Sequence, residues 1–572
     1  MYEDQRLMTM RFLSFFILSL CLVVTKANAQ SVNTPADSSS TEIEIVNVDK
    51  LKAIDSLKFK KLIGNVILIQ DDGTFKCDSA YLYEEDNSIQ AFGNVHIQQG
   101  DSVNIYADRL KYDGTTRFAR LYNNVELSDS KTTINSDTLY YYLNERRALL
   151  FYGVDISDGA VDIFADSVEY LSLVKKAIFY NNASLTQDSL NIKADQMQYD
   201  FNTNIGIYSG NGVMTNKQTI LKSDNGLYDS DAQIATFEEK VFVKDESYEI
   251  NTQKLIYNLK TEQAEFDGPT IINSDGRNIE TTKGSFDQKN NSVSLTGRST
   301  LDEAPQFLTA DTLYFEQDSG WGVARGNVYW EDTSENVSLR SAFMRYNQDS
   351  SSIVAYQDLM LTQVVGEDTL FLIADTLIRG SYQDSSDLFA AIKNVQLYKS
   401  DFQGVCDSLS YNTFDSTFRM YVNPVVWFDS TQLFADTLFL ETSDGGPSHL
   451  DLNKNAWIIS EVETGIYHQL TGNAIDGQFL DGELSVINVV KDSKSIYFAQ
   501  DEEKAFIGAN KANSQSMRIL FDEGEISSIK FYGTPNAVFD PIKSIDPFNH
   551  QLEGFQWLEE RRPLIEYFIV EK

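Results

Sequence analysis

Apolar and polar residues alternate with a period of two along most of the chain, and the phase of that alternation slips at regular intervals. In Val103-Asn104-Ile105-Tyr106-Ala107 the apolar side chains fall on odd positions, but after Asp108 they fall on even ones, Leu110 and Tyr112. The same slip separates Val161, Ile163 and Ala165 from Val168 and Tyr170, and Leu190, Ile192 and Ala194 from Met197 and Tyr199. A strand whose pattern slips by one residue turns its apolar side chains outward unless the chain kinks there. A small residue followed by Asp suits such a corner, where a strand leaves one sheet and enters the opposing one. The pattern therefore predicts two antiparallel sheets facing each other across a shared apolar seam, with no helical periodicity.

The slips belong to a repeat. A small residue, Asp, an apolar residue two on and an aromatic two further recur with Asp at 108, 137, 166, 195 and 224, each 29 residues from the last. Ala310-Asp311, Ala374-Asp375, Cys406-Asp407 and Ala435-Asp436 extend the series, and degenerate copies at Gln253, Gly284 and Ala342 fill its gaps. Midway stands a second marker: Gly64-Asn65-Val66, Gly93-Asn94-Val95, Asn123-Asn124-Val125, Asn181-Asn182-Ala183, Gly326-Asn327-Val328 and Lys393-Asn394-Val395. Gly and Asn tolerate positive φ, so this pair reads as a turn or bulge between strands. Self-similarity at this period, about thirteen copies in register, marks a repeat architecture. Two strands per copy give roughly 26 strands, which shared between two sheets make a rod on the order of 60 Å long.

Composition agrees with strands. Aromatics reach 12%, hydrophobic residues 42%, and only 9 of 572 residues are Pro. The formal charge of −37 opposes binding to nucleic acid, and no nucleic-acid partner is expected. Arg6 and Arg11 precede the apolar run Phe12 to Val24, and Ala27-Asn28-Ala29 offers small residues for cleavage, so residues 1–29 read as a secretory signal peptide. Residues 30–50 read as a disordered polar linker, 51–442 as the β-repeat array, and 443–572 as a C-terminal β-region with a terminal tail. The turn-rich Ser443-Asp444-Gly445-Gly446-Pro447 marks the boundary between the last two. In the C-terminal region Gly477 to Val490 reads as one strand. Cys77 and Cys406 share the small corner position and read as buried side chains too far apart to bridge.

The Ala-Asp-x-Leu-x-Tyr and Gly-Asn-Val repeats behind a secretory signal resemble the OstA-like (LptA-like) lipopolysaccharide-transport family. The segment from Leu470-Thr471-Gly472-Asn473 to Pro541, with Ser495-Ile496-Tyr497-Phe498 and Ile507-Gly508-Ala509-Asn510-Lys511-Ala512, resembles the C-terminal part of its larger members. The resemblance implies an elongated β-jelly-roll with a greasy groove. It further implies a location in the periplasm, associated with the outer membrane, and a role in passing lipopolysaccharide or a related glycolipid between membranes. It also implies other lipopolysaccharide-transport components as partners, met by edge-strand pairing. The chain has several times the repeats of the small bridge proteins. Its C-terminal region is too short for the membrane barrel of the outer-membrane member.

No Gly-x-Ser-x-Gly, His-Glu-x-x-His or phosphate-cradling glycine loop appears, so no catalytic residue is assigned. His96, His449, His468 and His550 are scattered, and neither a metal site nor a cofactor is expected. Regular Asp could suggest a calcium β-roll, but the Gly-rich nonapeptide of such rolls is missing, and the Asp are assigned to corner hydrogen bonds. The candidate lipid lining is Val95, Ile97, Val103, Ile105, Leu110, Val125, Leu127, Ile134, Leu139, Val161, Ile163, Val168, Leu190, Ile192 and Met197. Two alternatives stand beside the lipid reading. One is a structural or adhesive β-array whose interior is simply its own core, and the other is a β-helix carbohydrate-active enzyme.

Overall fold

The computed structural model describes residues 41–568 except 55–57, 275, 383–385, 444–445, 481–482 and 523–524. The expected signal peptide and most of the expected linker lie outside the described residues. Strands nevertheless begin inside the stretch read as linker, at Glu44–Asn47 and Lys50–Ile54, both paired onto Phe59–Gln70. Across the described residues one ladder of 36 strands is continuous. From Phe59–Gln70 to Phe402–Asn412 each strand pairs antiparallel with the next in sequence, so the all-β repeat expectation holds.

Each repeat holds two strands, such as Ser88–Gln99 and Val103–Asp113, and both of them bend. Phe92 pairs with Arg109 and Val95 with Ala107, so Gly93 and Asn94 together oppose the single Asp108. That two-against-one count is a β-bulge, which bends and twists the strand. Gly93 (φ +74°) and Asn94 (φ +44°) occupy the left-handed region. A Cβ on Gly93 would also stand 2.4 Å from an Asp78 carboxylate oxygen, so this place admits only glycine without rearrangement. The second marker is thus the bulge of the two possibilities, and it forms a corner like the first.

This changes the dimensions. The two layers are the two halves of every strand rather than two separate sets of strands. Each repeat advances the ladder by two spacings, about 10 Å, and about thirteen repeats span about 125 Å, twice the length expected. One degenerate corner was also misplaced. Asp267 pairs with Lys283 and Thr270 with Thr281, so the corner residue is Thr282. Gly284 lies beyond it, where an added Cβ would meet the Phe266 ring at 2.7 Å.

The inner faces of both layers merge into one apolar cluster running from Ile43 to Ile519. Ser443-Gly446 is not a break in the ladder, since Thr437–Ser443 pairs with Gly446–Glu463 on to Ser443↔Gly446. Gly477 to Val490 is divided between Ile466–Leu480 and Glu483–Gln500, joined antiparallel at Leu480↔Glu483. Beyond Asn536–Pro541 the tail turns back over the outer face of one layer. There the buried Gln469 accepts Leu552 N–H (2.7 Å) and donates to His550 O (3.1 Å). Gln432 repeats the motif, accepting Leu558 N–H (2.7 Å) and donating to Gln556 O (2.8 Å). Phe568 ends the path against Phe371 and Tyr398.

Candidate functional site

The corners form one side of the seam. At four of them the Asp carboxylate accepts from the Asn amide 16 residues on: Asp78 from Asn94 (2.9 Å), Asp108 from Asn124 (2.9 Å), Asp166 from Asn182 (2.7 Å) and Asp195 from Asn211 (2.7 Å). Where Lys240 replaces the Asn, an ion pair to Asp224 (2.6 Å) takes over. These carboxylates are spent on corner geometry, as the sequence reading held.

All fifteen candidate lining residues face the seam, and each is 0–2% exposed. The sequence reading missed what closes the opposite side, the mouth between the ends of the two layers. Tyr112 Oη donates to Gln70 Oε1 (2.7 Å), Tyr141 to Gln99 (2.7 Å) and Tyr228 to Gln187 (2.6 Å). The same amides donate across the mouth to Gly114 O (2.9 Å), Leu143 O (3.0 Å) and Ser230 O (3.4 Å). Tyr170 donates to the buried Asp129 (2.9 Å), which also pairs with Lys175. Burial holds the hydroxyls of Tyr112, Tyr141, Tyr170 and Tyr228 above the ordinary phenol range and pushes Tyr199 up to about 12, so they act as neutral donors. The signal was present as Gln70 and Gln99, 29 apart, each 42 residues before its Tyr.

From about residue 234 the mouth is held differently. Lys217 reaches Glu262 (3.0 Å), Tyr248 meets Phe286 (centroids 5.5 Å), and Arg277 bridges Glu303 (2.8 Å) and Gln348 (2.6 Å). Arg379 occupies the Tyr position of its repeat and pairs with Asp387 (2.7 Å) and Glu335 (3.5 Å).

Burial pushes the thiols of Cys77 and Cys406 up to about 12, so neither is a nucleophile at neutral pH. His449 joins no other histidine; its Nε2 lies 3.2 Å from Asp476 and 3.5 Å from Asp451 carboxylate oxygens, a partly exposed group.

No curated protein matches the chain. Among solved structures it is similar to LptH of Pseudomonas aeruginosa, the LptA-homologous periplasmic component of the lipopolysaccharide transport device. That match has 15% identity and a TM-score of 0.17, over 19% of this chain and 75% of that one. The family model described as OstA-like protein matches residues 40–195 and 188–253. The match to the OstA-like family model thus covers residues 40–253, and the same corner pair recurs beyond them at Asp311–Asn327, Asp375–Asn394 and Asp436–Asn455.

Proposed function

We propose that this chain is an exported, non-enzymatic lipid-binding protein of lipopolysaccharide transport, working in the periplasm and shielding acyl chains between its two layers. The observation that carries the reading is the unbroken apolar seam from Ile43 to Ile519, covalently continuous at the corners and held only by side-chain bridges at the mouth. Layers joined in this way can splay along one side without breaking the ladder. Transfer of hydrocarbon into the seam would supply about 0.8 kcal/mol per CH₂. With a net charge of −37, attraction to lipid phosphates contributes little to burial in the seam, so acyl-chain binding there survives high salt. Acyl chains enter where ion pairs hold the mouth and then reach Val95, Ile105, Ile163 and the other lining residues. At the far end the Asn536–Pro541 strand is exposed almost throughout, and a strand of another transport component pairs with it.

A photo-crosslinker at Ile105 or Ile163 should capture lipopolysaccharide in living cells, while one at the outward-facing Asn104 or Asp162 should not. Capture at neither interior position would favour the second reading, a closed structural array. That reading has its own support, because the interior residues already fill the seam.

A further inference from the structure

The outer face of the layer opposite the tail-covered one carries a feature that the lipid reading does not use. Register places three rows of side chains there across the strands from Gly73–Tyr83 to Arg147–Ser157. The row beside the corners runs Phe92, Arg109, Tyr122, Thr138, Phe151. The next runs Gln90, Lys111, Arg120, Tyr140, and the third contains Tyr83, Phe118 and Tyr142. Arg109, Lys111 and Arg120 are exposed neighbours, with Lys111 directly opposite Arg120. Like charges facing each other across a ladder destabilise it. Among the described residues no carboxylate lies within the 4.0 Å ion-pair distance of any of the three. Asp113, in the third row, turns its Oδ1 to the amides of Thr115 (2.9 Å) and Thr116 (3.1 Å) instead.

Three clustered cations without acidic partners are unexpected on a chain of net charge −37. Rings surround them. The Arg120 guanidinium lies 4.9 Å from the Phe118 centroid and 5.8 Å from that of Tyr140, and the Arg147 guanidinium lies 4.7 Å from that of Tyr142. Beside them, between Phe92 and Tyr122, is a concavity of about 310 Å³ lined also by Gln90, Arg109, Leu110, Lys111 and Asn123.

We infer that this face binds an acidic saccharide. Pyranose rings lay their C–H faces on Phe92, Tyr122 and Tyr140, and a phosphate or carboxylate on the sugar sits among Arg109, Lys111 and Arg120. Arginine offers the planar fork that such anions take in two-point contact. An anionic bilayer fits less well, since three cations do not outweigh the repulsion from the rest of the chain. The shared chemistry has two sources, the headgroup of a glycolipid or a free acidic polysaccharide. The inference does not rest on the acyl-chain reading, because the probes below carry no acyl chains.

Calorimetric titration of the full chain tests it with three probes: the phosphorylated oligosaccharide of fully deacylated lipopolysaccharide, a polygalacturonate oligosaccharide, and a neutral dextran of equal length. The first binding best assigns a headgroup, and the second a free polysaccharide. Binding should weaken at least about tenfold in Arg109→Ser/Lys111→Ser/Arg120→Ser, and also in high salt, while dextran binds poorly. Lys193→Ser, on the outer face of the other layer, should leave it unchanged. The salt titration uses the native chain, so the test stands even if the triple variant folds poorly. Failure of both acidic probes, a folded triple variant that binds normally, or preference for anionic vesicles over the sugars would overturn the inference.

Discussion

Two stretches of the same ladder solve one packing problem in different ways. Between residues 59 and 230 the mouth is closed by the buried tyrosines Tyr112, Tyr141, Tyr170, Tyr199 and Tyr228, each 0–2% exposed, with the ion pairs Arg117–Asp71, Arg146–Asp72 and Lys175–Asp129 beside them. Between residues 234 and 382 the equivalent positions hold the buried Phe315 and the partly exposed Tyr257, Phe286, Tyr346 and Arg379, and the mouth is spanned by Tyr248 on Phe286, Arg277 to Gln348 and Arg379 to Glu335. The interior follows suit. Ile272 and Trp330 are 8% exposed and Ile353 9%, where Leu127, Leu139 and Phe179 are at 0%. A buried neutral hydrogen bond is insensitive to salt and costly to break, whereas an exposed ion pair is screened and worth little. Corners and ladder are common to both stretches, so the repeat dictates the scaffold while the rim residues decide how tightly it shuts.

The largest expected effect tests the interior directly. Phe179→Ala should destabilise the first stretch by about 4 kcal/mol, because its surroundings leave no room to collapse. Ile353→Ala should cost about 2 kcal/mol, since its site already touches solvent. Urea unfolding read by segment-resolved hydrogen exchange would separate them, and equal costs would break the comparison.

Acid offers a second probe, outside both stretches. Burial lowers His468 to about 4, and its Nδ1 accepts the Phe498 N–H (3.2 Å), which requires the neutral ring. The unfolded chain binds this proton near pH 6.5, so the native state is favoured above that pH and loses stability as pH falls toward 4. The full loss is about 3 kcal/mol. Exchange protection of Ile466–Leu480 and Glu483–Gln500 should fall over that window, while the neutral Tyr–Gln closures at Gln70 and Gln99 hold. His468→Gln should flatten the dependence, and an unchanged slope would remove the assignment.

Much of this fold is visible in the residues alone, for identifiable reasons. A period-two pattern with regular slips has few solutions, and the slips at Asp108, Asp137 and Asp166 are corners. The rod length was misjudged because Gly93-Asn94 admits a turn or a bulge, and alternation within one strand cannot show that its neighbour bends at the same level. The Tyr–Gln closures were hidden because partners 41 or 42 residues apart lie in different repeats. The tail's path was invisible for the same reason: Gln432 and Gln469 read as ordinary surface amides until the strands around them are placed.

The closures themselves come next. Gln99→Leu removes the acceptor of the fully buried Tyr141 hydroxyl and should cost about 1–3 kcal/mol, the penalty of an unsatisfied buried donor. Adding Tyr141→Phe should recover part of that loss, because the orphaned hydroxyl goes with it. A double variant as unstable as the sum of the single ones would mean that the pair does not act as a unit.

The smallest effect is expected at the ion-paired rim, and it is the most informative about opening. Arg277 joins Glu303 on its own layer to Gln348 across the mouth, with its side chain 24% exposed. Arg277→Met keeps most of the aliphatic stem and removes the charge, so stability should change by less than about 1 kcal/mol. Local exchange should respond more than global stability, because the bridge restrains only the mouth while the ladder holds both layers. Amides of Arg277–Asp287 and Val337–Asn347 should exchange faster, with those of Val103–Asp113 unchanged. Raising salt on the native chain should mimic the variant over the same strands, since screening weakens the exposed pair and leaves the Tyr–Gln closures untouched. If Val103–Asp113 loosened to the same degree, the mouth would be opening as one body, and the division into a sealed and an openable stretch would fail.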